Sequence, residues 1–299
     1  MIAAVISRLL LPDGRTVQLG ERTEGGSKNH TRYGTLDDGQ PVIVKIQATH
    51  GQLPREESAL GFAADHGLPA PAVVSSGTTQ EGSYFLVLTK EDGVRTNTPD
   101  GWQRMGRGYA LLSTAPTADC PLPRISAQDF AADHRERLTM IKSLLTEQDH
   151  DRIAAAIDHF AGSGEPVLTH GDPGSGNYLD SLQGGTILDW ETASIAPFGI
   201  DVGRAAFIAY LDNDHTGIPR QLHDAFIRGY RSALSDGSLS DDTLHSGTLI
   251  AALQFIHGRH TRPLRPDRTP AVAIDALAAY LNACQRFGRH DHHAADIRG

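Results

Sequence analysis

The 299-residue chain is poor in the features that mark several protein classes. It has two cysteines, Cys120 and Cys284, far apart in the sequence. That excludes a disulfide framework and points to a reducing, cytoplasmic setting. No apolar run approaches the roughly 18 residues needed to cross a bilayer, so no membrane partner is expected. The first residues, Met1 to Gly14, lack a basic segment and a small-residue cleavage site, so no secretory signal is expected. Basic tracts are missing as well. The 27 Lys and Arg face 36 Asp and Glu, a formal charge of −9 with neutral histidines. Nucleic acid is therefore not an expected partner. An acidic balance can attract a cationic small molecule, although in most proteins it serves solubility. Repeats and low-complexity blocks are absent from the sequence. What remains is an ordinary globular balance, 39% hydrophobic and 21% charged. Such a chain can bury a sizeable core without staples. At roughly 150 residues per domain it makes two domains or two lobes.

The two halves differ in pattern. The first ninety or so residues read mostly as strand. Residues 31–36 and 42–46 are β-type runs around the turn Asp37-Asp38-Gly39. Residues 55–66 carry helical apolar spacing, closed by Gly67 and Pro69. Residues 72–74 and 84–88 read as further strands. Beyond Gly93, helical spacing takes over at 128–145, 151–161, 202–211, 221–234, 248–260 and 271–287. A short β-rich island, 167–190, lies among them. This is an α+β pattern with a connector near Thr89 to Val94, and not an alternating βαβ one.

The island carries the chemistry. It reads His170-Gly171-Asp172-Pro173-Gly174-Ser175-Gly176-Asn177, then Ile187-Leu188-Asp189-Trp190-Glu191. Apolar runs flank each part, so a strand–loop–strand–turn aims the loop residues at one place. A carboxamide oxygen and a carboxylate are hard ligands suited to Mg²⁺. A second carboxylate can orient or deprotonate a hydroxyl. Together they make a phosphoryl-transfer layout. The bland alternative is a polar hairpin in which Asp and Asn only cap turns.

These motifs resemble the aminoglycoside phosphotransferase family of protein-kinase-like small-molecule phosphotransferases. Residues 170–177 match its H-G-D-x-x-x-x-N loop, and 187–190 its metal-binding segment. Glu24-Gly25-Gly26-Ser27 sits where its phosphate-covering loop lies, and Val42-Ile43-Val44-Lys45 resembles its lysine strand. The run from Arg55 to Pro69 is similar to its glutamate helix, and counting back from Gly67-Leu68-Pro69 selects Glu56 over Glu57. Residues 115–121 resemble a P-x-x-D-C-P segment of the 3′-type enzymes.

The resemblance implies a bilobal kinase-like fold. Residues 1–92 would form a small β-rich nucleotide lobe, with a hinge near 88–94. Residues 93–299 would form a larger helical lobe for catalysis and acceptor binding. It implies ATP and Mg²⁺ as cofactors. Lys45 would contact the α/β-phosphates, held by Glu56. The backbone of Gly25, Gly26 and Ser27 would cover the phosphates. The backbone from Thr89 to Glu91 would pair with adenine. Asp172 would be the catalytic carboxylate, and Asn177 and Asp189 would ligate the metal. His170 would brace the loop, and Asp201 would tie it to a helix.

The expected activity is O-phosphorylation of a small-molecule hydroxyl by a monomer or homodimer. An antibiotic is the foremost acceptor, an aminoglycoside or another cationic natural product, giving resistance. Glu191, Asp212, Asp214 and Asp224 are candidates for holding its ammonium groups. Two departures from the family pattern bear on this. Ser113 replaces the histidine of the family's L-H-x-x-P stretch, and the acidic, aromatic C-terminus of the 3′-type enzymes is absent. A metabolic kinase of choline, homoserine, sugar or fructosamine type is the alternative, and a non-catalytic nucleotide-binding module a further one. Arg259, Arg262, Arg265 and Arg268 recur every third residue. They read as a solvated loop or as a clamp for an anionic acceptor.

Overall fold

The computed structural model describes residues 8–23, 29–47, 52–181, 184–212, 219–235, 238–262 and 269–294. The N-terminal part is a six-stranded antiparallel sheet. Its strands are β1 (Arg8–Leu10), β2 (Thr16–Arg22), β3 (Asn29–Leu36), β4 (Pro41–Gln47), β5 (Val73–Thr78) and β6 (Tyr84–Thr89). They lie in the order β1-β2-β3-β4-β6-β5. Successive strand residues face opposite sides. Val42 and Val44 therefore enter a core with Val17, Leu36, Phe85 and Val87, while Lys45 takes the other face. The strands expected at 31–36, 42–46 and 84–88 are present. The one expected at 72–74 runs on to Thr78.

Helix α1 (Leu53–Asp65) spans the link between β4 and β5. Gly67 ends it at φ +64°, a conformation favouring glycine. Its buried face holds Glu56, Ala59, Leu60 and Ala63, the i, i+3, i+4, i+7 stripe. Glu56 is thus carried inward by the helical period itself.

After β7 (Val94–Arg95) comes α2 (Pro99–Thr114), a helix the sequence reading did not expect. Its apolar stripe of Trp102, Met105, Tyr109 and Leu112 is interrupted by Gly101, Gly106 and Gly108. Glycine lowers helix propensity and masks the stripe. At Gly106 the reason is packing: a Cβ there would lie 2.2 Å from the Phe226 carbonyl.

Helices α3 (Ala127–Met140) and α4 (Glu147–Ala161) follow. A 3₁₀ turn at Lys142–Leu144 divides the single helix expected over 128–145. Ser126 and Thr146 cap the two helices, accepting from the Asp129 and Asp149 amides at 3.0 and 3.1 Å. The β-island forms two small sheets. In one, β8 (Val167–Thr169) pairs with β11 (Ser194–Ala196). In the other, β9 (Tyr178–Asp180) lies between β7 and β10 (Thr186–Ile187).

Four helices complete the larger part: α5 (Ile200–Asp212), α6 (Pro219–Ser232), α7 (Asp241–Thr261) and α8 (Pro270–Ala294). Helix α7 starts seven residues before the expected 248, where the Ser240 hydroxyl accepts from the Thr243 amide at 3.0 Å. Helices α5 and α7 meet glycine to glycine. A Cβ on Gly203 would lie 2.1 Å from the Gly247 carbonyl carbon. This close approach brings the next residue, Arg204, beside Gln254 of α7. The fold is the expected one, a small antiparallel sheet with one helix beside a larger helical part. Among the described residues no helix is long and apolar enough to cross a membrane.

Candidate active site

The loop after β8 is held from beneath. Asp201, near the start of α5, accepts the backbone amides of His170 at 2.5 Å and Gly171 at 3.0 Å. Burial raises the Asp201 pKa, while His170 and these amides oppose the rise. His170 is fully buried between Tyr109 and Trp190, both edge-on. Its Nε2 donates to the Leu188 carbonyl at 2.9 Å, and its Nδ1 accepts from the Asp172 amide at 3.3 Å. Both ring nitrogens are thus engaged in shaping the loop. Gly171 sits at φ +80°, and a Cβ there would meet the Thr192 carbonyl at 2.7 Å. Only glycine fits this turn.

The side chains the loop presents converge. Asn177 donates from Nδ2 to the Asp172 carbonyl at 2.9 Å and reaches its Oδ2 at 3.3 Å. That fixes the carboxamide with its nitrogen toward Asp172 and its oxygen turned away. Asp189 follows β10 in a left-handed conformation, φ 63° and ψ 60°. It is the one non-glycine with positive φ among the described residues. Asp tolerates this region better than most residues. The strained turn aims its carboxylate back at β4, and Trp190 closes it by donating to the Ile187 carbonyl at 2.8 Å.

Lys45 joins the two parts of the molecule. Its Nζ lies 2.6 Å from Glu56 Oε1 and 2.8 Å from Asp189 Oδ1. Burial disfavours the Lys45 ammonium, yet the carboxylates of Glu56 and Asp189 outweigh it and raise its pKa. Glu57 takes no part and instead bonds Ser76 and Tyr84. Arg55 adds a further tie, donating to the Thr192 and Ala193 carbonyls.

A cavity of about 460 Å³ lies along this seam. Ile43, Leu88, Leu179 and Leu188 give it apolar walls, and Lys45, Asn177 and Asp189 a polar end. Thr89 and Glu91 line its edge. The Thr89 amide donates to the Ala72 carbonyl at 2.9 Å, and its hydroxyl accepts from the Ala72 amide and donates to Glu91. Thr89 therefore shapes the rim with its amide engaged in the sheet. Gly25, Gly26 and Ser27 lie outside the described residues.

Residues 20–237 match the sequence profile of the phosphotransferase enzyme family, APH. The chain belongs to this family. No curated protein sequence matches it. Among solved structures it is similar to a type I macrolide 2′-phosphotransferase, at 15% identity and a TM-score of 0.59, over 87% of this chain and 92% of that one. A macrolide 2′-phosphotransferase from Brachybacterium faecium gives 15% and 0.58, over 86% and 92%. A thermostable aminoglycoside phosphotransferase APH(4)-Ia, in ternary complex with AMP-PNP and hygromycin B, gives 13% and 0.63, over 87% and 94%. At these identities the structures share the fold.

The phosphotransferase holds Asp172 with a group that sequence reasoning missed. Arg204 donates to Asp172 Oδ1 from Nη2 at 2.6 Å and Nε at 3.2 Å. Its Nη1 donates to Gln254 Oε1 at 3.0 Å. An arginine has only donors, so it fixes the Gln254 amide. Gln254 Nε2 then donates to His134 Nε2 at 3.0 Å. His134 Nδ1 donates to the Phe130 carbonyl at 2.7 Å. This chain of bonds is satisfied only by neutral His134 with its proton on Nδ1. The available signal was the spacing Asp201-x-x-Arg204 on one helix face.

Burial, with Arg137 nearby, lowers the His134 pKa from 6.5 to about 4. The unfolded chain therefore binds this proton more readily than the fold does. Stability is full above pH 6.5 and is lost as pH falls toward 4, by roughly 3 kcal/mol at most. Urea titrations at stepped pH are expected to show this loss. A His134→Gln variant should give a flatter profile, and an unchanged slope would clear His134 of responsibility.

Of the acidic residues nominated for ammonium groups, the two with described side chains, Glu191 and Asp224, are engaged with other partners. Glu191 is buried and accepts from Asn29 at 3.1 Å. Asp224 pairs with His223 and Arg220 on α6. Asp214 and the Asp212 side chain lie outside the described residues.

Proposed function

We propose that this phosphotransferase moves the γ-phosphoryl group of Mg-ATP to a hydroxyl of a small molecule. The carrying observation is the junction at Lys45. One ammonium bridges Glu56 of α1 and Asp189 of the β-island, and Asp172 and Asn177 stand across the same seam. The apolar walls suit a purine, and Lys45 at the polar end suits phosphates. The backbone following Thr89 is the edge for the base. In the described residues, no three His, Cys, Asp or Glu side chains group as a metal cage. Two hard oxygens, from the Asn177 carboxamide and the Asp189 carboxylate, are the donor chemistry that Mg²⁺ takes, and these residues would hold it. When bound there, the metal supplies charge neutralisation for the transferring group.

The chain's own groups do the rest. Lys45 is held cationic and preorganised, so it meets phosphate oxygens without reorganising. Arg204 holds Asp172 by Oδ1, which turns the carboxylate so that Oδ2 meets the acceptor hydroxyl. Asp172 orients that hydroxyl for in-line attack and receives its proton.

A thermal-shift titration tests the nucleotide half. Mg-ATP is expected to raise Tm as ligand exceeds its Kd, and EDTA should abolish most of the rise. Acceptor-dependent ADP release tests the transfer half. Absence of any nucleotide protection would overturn the proposal.

A further inference from the structure

Two arginines of this molecule pair with a carboxylate in different ways. Arg104 donates from Nε to Asp180 Oδ1 at 2.6 Å and from Nη2 to Asp180 Oδ2 at 2.5 Å, one bond to each oxygen. A planar guanidinium and a carboxylate favour this two-oxygen fork. Arg204 uses the same two nitrogens, yet both end on Asp172 Oδ1, at 3.2 and 2.6 Å. Two donors sharing one oxygen leave the guanidinium a pivot there, so something else must hold it out of the fork.

That hold is on its other edge. Arg204 Nη1 donates to Gln254 Oε1 at 3.0 Å, whereas Arg104 has no bond from Nη1 among the described residues. The Phe255 ring lies 4.6 Å from the Arg204 guanidinium carbon and sets its plane. Within that plane Gln254 fixes the rotation. The carboxamide is itself kept from turning over. Its Nε2 donates to His134 Nε2 at 3.0 Å, and His134 Nδ1 is spent on the Phe130 carbonyl at 2.7 Å. His134 is buried, so this support stands away from solvent. Released from Gln254, the guanidinium can pivot about Oδ1 until Nη2 reaches Oδ2, which is the fork seen at Asp180. A guanidinium bond there would occupy the oxygen that has to meet the acceptor hydroxyl and would lower its basicity.

We infer that Gln254 is a positioning residue of the phosphoryl transfer: it keeps Arg204 on Oδ1 of Asp172 and off Oδ2, while His134 keeps the Gln254 carboxamide the right way round. The inference rests on the role given to Asp172 above.

The test follows single-turnover ADP release from Mg-ATP with water as the acceptor, and Asp172→Asn supplies the baseline. Gln254→Met keeps the length of the side chain and removes both hydrogen bonds. Its rate is expected to fall ~10- to 100-fold, the cost of misplacing a reacting group by about an ångström. Mg-ATP affinity, read by thermal shift, should stay as in the parent. Gln254→Leu serves the same purpose if Gln254→Met fails to fold. The deciding readout is the same exchange made on top of Arg204→Lys. An ammonium is a single point and forms no fork. In that background, loss of Gln254 should change the rate by less than about threefold, so the two effects do not add. A Gln254→Met rate equal to the parent's, with only Tm lowered, would overturn the inference. So would an equal fall in the Arg204 and the Arg204→Lys backgrounds. A parent rate no higher than that of Asp172→Asn would overturn the role of Asp172 and this inference with it. Failure of the Gln254 variants alone would overturn only this inference.

Discussion

Replacing Asp172 with asparagine is expected to lower kcat by roughly three to four orders of magnitude, with nucleotide affinity nearly unchanged. The Asp172 side chain is 46% exposed, so the exchange removes little packing. Asparagine keeps the shape and can present its oxygen to Arg204, which donates twice at that position. Its nitrogen then faces the acceptor, where it can neither accept the hydroxyl proton nor carry negative charge. The loss corresponds to about 4–5 kcal/mol of transition-state stabilisation at 1.36 kcal/mol per decade. Single-turnover ADP release checks the rate, and Mg-ATP titration by thermal shift checks the fold. A kcat within tenfold of the parent would remove Asp172 from the chemistry. Arg204→Met makes the companion measurement. It removes a positioning group and leaves the carboxylate, so the fall should be smaller and the pH–rate profile should move. A purely structural role for Arg204 would lower Tm without moving that profile.

Lys45 and Glu56 were legible in the sequence through their resemblance to family motifs, and local periodicity accounts for where the fold puts them. Lys45 ends a β-run whose alternation assigns it to the face opposite Val42 and Val44. Glu56 shares a helical stripe with Leu60 and Ala63, which is why it and not Glu57 meets Lys45. The loop from His170 to Asn177 was readable because its polar residues sit between short apolar runs. Helix α2 was missed because three of its residues are glycines, and the close contact that requires Gly106 comes from α6, far along the chain. Arg204, Gln254 and His134 were missed for a related reason. Each lies on a different helix, and only the packing of α5 and of α3 on α7 joins them, the first through Gly203 and Gly247. The acceptor was not legible, because the overall charge of a chain does not locate charge at a site.

Lys45→Met is expected to destabilise the fold by about 3–5 kcal/mol at neutral pH, besides abolishing turnover. Glu56 is the reason. Its side chain is 1% exposed, and its Oε2 makes no hydrogen bond among the described residues. Burial already pushes the Glu56 carboxyl above its usual value, against the pull of the Lys45 ammonium. Without that ammonium the carboxylate is buried with the like charges of Asp189 and Glu191 acting on it, and its pKa must rise further. The folded variant then binds a proton that the unfolded chain, near 4.5, has released. Such a group contributes stability below its unfolded pKa and loses it as pH rises through the folded one. The deficit of Lys45→Met should therefore be small near pH 4.5 and grow toward neutrality, opposite in sign to the His134 effect. Adding Glu56→Gln should restore most of the stability and remove the pH dependence, since a buried amide carries no charge to desolvate. It should restore no activity, because neither residue of the double variant can meet a phosphate with positive charge. Denaturant titrations of the four proteins of this cycle, at two pH values, give the coupling directly. A Lys45→Met variant as stable as its parent at both pH values would mean that Glu56 is already neutral in the fold, and that the Lys45–Glu56 pair is a hydrogen bond rather than an ion pair.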